Sequence, residues 1–224
     1  MKNSIVILVF VLTCMGVLSL SCGGDKKETK ESQSEKFERL RRSGEIADVT
    51  ILQDAAEKEI KSFAYSLKKG LSEAMREGGA VNAINVCSEL APEMAMARTT
   101  EGWTISRVSE KSRNKNNQAD PMQLDILDSF FSPDQDPKFV GEWQTIAGKK
   151  TFFYYKPIYM QEVCLSCHGP KKNIKPEVAA KIAELYPDDA ATGYRVGDLR
   201  GMFVVEVEWP AGRARAEALA SDSI

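Results

Sequence analysis

From Glu45 onward, apolar side chains recur at three- and four-residue steps: Ile46, Val49, Leu52, Ala56, Ile60, Phe63, Leu67 and Leu71. That spacing lines one face of an α-helix, so a long amphipathic helix is predicted, ended by Gly78-Gly79. A second helix begins near Ala80, with Ala83, Ile84, Cys87, Leu90 and Met94 along one stripe. Pro92 cannot donate to the Ser88 carbonyl, so a kink is expected just beyond Cys87. The period then changes. Trp103 to Ser109 alternates as a half-buried strand, followed by a polar loop over Lys111 to Asn117 and a short helix from Pro121 to Phe131. Gln144 to Tyr159 holds two β-rich runs joined at Gly148-Lys149, which reads as a hairpin. Pro176 to Tyr186 is a short helix with proline at its start. Gly201 to Trp209 is the clearest strand, with Glu206 and Glu208 expected on its wet face. Helices first and strands afterwards imply an α+β domain around an antiparallel sheet.

The first residues follow another logic. Lys2, the apolar run Ile5 to Leu12 and the small-residue approach Ser19-Leu20-Ser21 form an export signal over residues 1–21. Cys22 then stands where a bacterial lipoprotein carries its lipidated cysteine, although Leu18 and Leu20 flank the usual leucine position. Export and a lipid anchor on the periplasmic side of a bacterial membrane are the expectation. Residues 22–44 read as a flexible tether, because Asp25 to Lys36 is charged and serine-rich with nothing to bury. The folded domain spans 45–210, and 211–224 read as a short alanine-rich tail. The long first helix packs on its own domain or serves as a stalk pairing two copies, so a homodimer is one expectation.

Charge narrows the function. The chain of 224 residues has 30 Lys and Arg against 32 Asp and Glu, a net charge of −2, which argues against a nucleic-acid surface. Of its 5 cysteines, Cys14 leaves with the signal and Cys22 takes the lipid. The remaining three carry the chemistry. Cys164-Leu165-Ser166-Cys167-His168 has the spacing that attaches a c-type haem: each thiol adds to one vinyl group, and His168 becomes the proximal iron ligand. A zinc site needs more ligands, and the chain has 1 histidine. A thioredoxin-like pair would close a strand and open a helix, whereas Gly169-Pro170 follows here. Haem attachment happens outside the bacterial cytoplasm, which agrees with the export signal. Cys87 is left unpaired, as a small buried hydrophobe or as part of a site.

Four stretches together resemble the PAS-like c-type haem domain, a family long catalogued as a domain of unknown function. They are Ala83-Ile84-Asn85-Val86-Cys87 with Ala91-Pro92; Gly102-Trp103 through Arg107-Val108-Ser109 with Arg113-Asn114; the attachment motif through Gly169; and Tyr186-Pro187 through Thr192-Gly193-Tyr194, leading to Gly197-Asp198-Leu199-Arg200-Gly201. The resemblance covers roughly Ile46 to Pro210. Lys115 stands where the family usually has proline. The resemblance implies a PAS-like fold with N-terminal helices, one covalently attached haem c held between sheet and helix, and Cys87 as second axial ligand. With one histidine, two-histidine ligation within one chain is impossible. Met94, Met96, Met160, Met202, a lysine or an open position remain the alternatives to Cys87. Thiolate ligation implies a low potential, since it favours ferric iron. Arg107 and Arg113 are the candidates for the haem propionates, because a guanidinium forks onto a carboxylate.

The expected function is a lipid-anchored, single-haem cytochrome exchanging electrons with a periplasmic or membrane redox partner. The alternative is a redox or gas sensor; with no kinase or methyl-accepting region after Trp209, it would signal through a separate protein. An enzyme such as a peroxidase needs a distal acid–base residue, and no second histidine supplies one, so no catalytic residue is expected.

Overall fold

The computed structural model describes residues 45–131 and 137–222. The signal segment 1–21, Cys22 and the tether 22–44 lie outside the described residues.

Helix α1 runs over Glu45–Asn85 and is broken where expected: Gly78 and Gly79 leave helical geometry, Gly79 with φ 68° and ψ −164°. That region of backbone space is essentially closed to residues with a Cβ. The apolar stripe Leu52, Ala56, Ile60 and Phe63 is buried within the domain itself. At about 1.5–3 kcal/mol for each large side chain, that burial fixes α1 against the sheet. Beyond the break the chain reaches Pro92, where a kink is expected, through an irregular stretch of helix. A π-helical turn over Val86–Leu90 carries it into helix α2, Ala91–Arg98, with the Ala91 amide donating to the Val86 carbonyl. The wider turn sits where Pro92 leaves the Ser88 carbonyl without its usual donor.

Strands β1 (Trp103–Val108), β2 (Val140–Ile146), β3 (Lys149–Tyr159) and β4 (Leu199–Trp209) form one antiparallel sheet in the order β1-β4-β3-β2. The β2–β3 connection is a two-residue turn, Ala147-Gly148, with φ 49° and 81°. Both values are those of a primed hairpin turn, which matches the twist of the strands. One face of the sheet (Trp103, Ile105, Phe152, Tyr154, Phe203, Val205 and Val207) packs on α1. The other face (Val108, Phe153, Tyr155, Met202 and Val204) is covered at one end by Leu127 and Phe130, from and just beyond helix α3, Pro121–Ser129. Asp120 and Gln123 close the start of α3 with a reciprocal capping box. Glu206 and Glu208, part-exposed, lie beyond the fully buried stretch of β4.

Two further helices complete the domain, after the single-turn helix α4, Leu165–His168. Helix α5, Pro176–Leu185, sets Val178 and Ile182 on Ile84 of α1. The segment 211–224 is more than a tail. Arg213–Ser221 forms helix α6, whose Ala216 is fully buried against α1 and the sheet. Glu59 of α1, only 4% exposed, pairs with Arg215 of α6 at 2.8 Å and with Arg98 of α2 at 3.3 Å. Three helices are thereby locked through one carboxylate.

Candidate functional site

The attachment motif is displayed by two short turns. Glu162–Cys164 is a 3₁₀ turn and α4 a single α-helical turn, with Cys164 at its N-cap and Cys167 three residues on, within it. Gly169 ends the turn tightly. A Cβ there would sit 2.6 Å from the Leu165 carbonyl oxygen, so only glycine fits.

The segment after α5 straps the motif down. The Tyr194 amide donates to the His168 carbonyl at 3.0 Å and the Gly193 amide to Gly169 at 2.9 Å. Nδ1 of His168 lies 2.7 Å from the Ala191 carbonyl. Nδ1–H is therefore the donor, and Nε2 is left as the ring nitrogen able to give a lone pair. Burial, reinforced by Arg113 and Arg200 and opposed by the Ala191 bond, pushes the His168 pKa down to about 3. The imidazole is held neutral, the form that binds a metal.

A cleft of about 210 Å³ lies against this motif. Cys164 and His168 line it from the motif, Cys87 from the π-helical turn, Arg107 from β1, Arg200 and Gly201 from β4, and Tyr186 from the end of α5. The structure thus brings together five of the six residues singled out in the sequence: Cys87, Arg107, Arg113, Cys164 and His168. Cys167 is half-buried beside the cleft and packs on the cluster of Ile84, Ile174, Val178 and Ile182. Of the candidate methionines, Met160 lines the cleft. Met94 and Met202 belong to the two sheet cores, and Met96 is exposed.

Charge in the cleft is one-sided. Among the described residues that line it there is no Asp or Glu. Burial raises the Cys87 pKa, and Arg107, Arg113 and Arg200 oppose that rise. Burial lowers the pKa of Arg107, with the Cys87 thiol opposing it. Burial also raises the Cys167 pKa, opposed by Arg113.

Arg113, expected at a haem carboxylate, lines the cleft and is also engaged within the protein. It is neither a surface arginine nor a free fork, because Nε and Nη2 grip the two Asp189 oxygens at 3.0 and 3.2 Å. Nη2 also donates to the Cys167 carbonyl at 2.6 Å. It acts as a buried strut between strap and motif. Asp189, which holds Arg113, and Arg200, which lines the cleft, are the residues the sequence reading did not single out. Both sit inside the strings that carried the family resemblance, which was the signal available. Among the described residues, no cluster of three or more His, Cys, Asp or Glu side chains is placed to hold a metal ion unaided.

A family model, Tll0287-like, matches residues 27–208. The chain belongs to the Tll0287-like family. Among solved structures, the crystal structure of the cyanobacterial haem protein Tll0287 matches with 28% sequence identity and a TM-score of 0.51, covering 68% of this chain and 94% of that one. No curated protein matches. The Tll0287-like match includes every cleft residue named above and starts within the segment read as tether.

Proposed function

We propose that the chain is a lipid-anchored, single-haem c-type cytochrome that exchanges electrons with a periplasmic or membrane partner. The observation that carries the reading is the convergence of Cys87 with Cys164 and His168 on one cleft, from elements far apart in the sequence. The likeness to a structure described as a haem protein supports a haem here.

The donor set fits that group. Cys164 and Cys167 would hold it through thioethers, and Nε2 of His168, left free by the Nδ1 bond to the Ala191 carbonyl, would bind the iron. Cys87 would be the second ligand. Bound haem would supply one-electron iron chemistry, and thiolate together with imidazole ligation would favour the ferric state and a low potential. The chain's own residues position ligands and supply positive charge, with no catalytic residue among them. Export and lipidation at Cys22 rest on the sequence of the first residues.

Spectroscopy of exported protein tests the ligation. The parent gives a low-spin ferric thiolate signal by EPR, and Cys87→Ala loses it. Identical spectra would sink the Cys87 assignment. Mass spectrometry of the Cys164–Cys167 peptide must also show added haem. The π-helical turn favours a second reading, a redox or gas sensor, since a π turn can return to α-helical register and withdraw Cys87. New carbon monoxide binding on reduction would favour the sensor, and a smooth reversible one-electron titration the carrier.

A further inference from the structure

The cleft holds three guanidinium groups in different states of commitment. That of Arg113 is neutralised by Asp189 and faces the motif backbone. Arg107 makes no hydrogen bond or ion pair among the described residues and lies over the Phe63 ring at 5.5 Å. Arg200 is held without being neutralised. Its Nη1 donates to Ser109 Oγ at 2.6 Å and to the Lys111 carbonyl at 3.1 Å, and its guanidinium stands 5.5 Å from the Tyr194 ring centroid. Neutral acceptors fix the geometry of Arg200 and leave its charge intact.

Two part-buried cations side by side are costly unless an anion joins them. Among the described residues no carboxylate lines the cleft, and Asp189, the acid that acts on Arg200, is engaged by Arg113, so a bound anion completes the pairing. We infer that Arg200, together with Arg107, holds the carboxylates of the bound haem, and that Arg113 does not. The inference rests on the haem reading above and moves one of the two anionic contacts from Arg113 to Arg200. Ser109 and Tyr194 are positioning residues for Arg200: Ser109 Oγ accepts from Nη1 while donating to the Arg200 carbonyl at 2.7 Å, which pins both ends of the residue.

A cation beside the haem favours the added electron, so its removal lowers the reduction potential. The test uses haem-loaded, exported protein, with attachment to the Cys164–Cys167 peptide verified first by mass. Absence of haem from the parent overturns the functional reading and this inference with it. With haem present, potentiometric titration of Arg200→Gln is expected to give a lower potential than the parent, and Arg200→Lys to recover part of the difference by restoring charge. Arg195→Gln, an exposed arginine on the same strap, is the control expected to leave the potential unchanged. If Arg200→Gln keeps the parent potential, or the lysine variant falls as far as the glutamine one, Arg200 is only a structural tie and the haem reading stands without it.

Discussion

Asp189 governs how the motif is held. Its two oxygens take the Arg113 fork and it also accepts from the Ala191 amide at 2.9 Å, the residue whose carbonyl aims His168. Asp189→Asn leaves the Arg113 side chain, 8% exposed, without its counter-charge. Breaking a buried pair from one side costs about 3 kcal/mol or more, so a urea midpoint measured on the haem-free chain should fall accordingly. An unchanged midpoint would mean that the pair does not carry the strap. The thiols and the imidazole were legible in the sequence because their chemistry lies in adjacent residues. The Arg113–Asp189 pair was not, because it joins positions 76 residues apart and only the folded strap brings them together. Arg200 escaped for the same reason: its tie to Ser109 spans 91 residues, and only the fold sets it on the cleft.

At the scale of elements, periodicity identified α1, its glycine break and the four strands to within a few residues. β2 starts at Val140, four positions before the expected Gln144, because Val140 and Trp143 alternate too weakly to stand out. The disturbance expected around Pro92 takes the form of a π-helical turn over Val86–Leu90. A sequence shows that a donor is missing but not how the neighbouring carbonyls rearrange. The α4 turn offers a sharp test. Gly169→Ala sets a methyl 2.6 Å from a backbone oxygen, so the turn must open. We expect a loss of roughly 1–3 kcal/mol in denaturation, and a lower fraction of haem-bearing peptide by mass. Full attachment and unchanged stability would show that the turn tolerates a different exit.

The whole molecule is fastened by polar ties that no periodicity reveals. Glu57 of α1 accepts from Tyr154 at 3.0 Å, pairs with Lys156 on β3, and meets Lys61 at 3.5 Å. Burial alone would raise its pKa, but the bonds from Lys156 and Tyr154 outweigh that and hold it below its ordinary 4.5. A lowered folded-state pKa gives stability that is present above the unfolded value and lost as pH falls through the folded one. The thermal midpoint of the parent should therefore drop below about pH 4.5, and that of Glu57→Gln should drop less steeply, a difference of roughly 1 kcal/mol for a part-exposed group. Parallel curves would exclude Glu57 from the acid transition. At the other end of the chain, removing α6 takes away Ala216 and the Arg215 partner of Glu59. A chain ending at Ala211 is expected to melt earlier, as circular dichroism would record.

The two proposed iron ligands belong to different parts of the architecture. Cys87 rides on the helical layer, whereas His168 directly follows Cys167 and stays beside the proposed attachment cysteines whatever the chain does. Under the proposed ligation, denaturant would leave the attached His168 side in place and release the Cys87 side. In the loaded protein, the spin state of the iron becomes a built-in gauge of whether the helices still rest on the sheet, readable in an absorption spectrum without any added label.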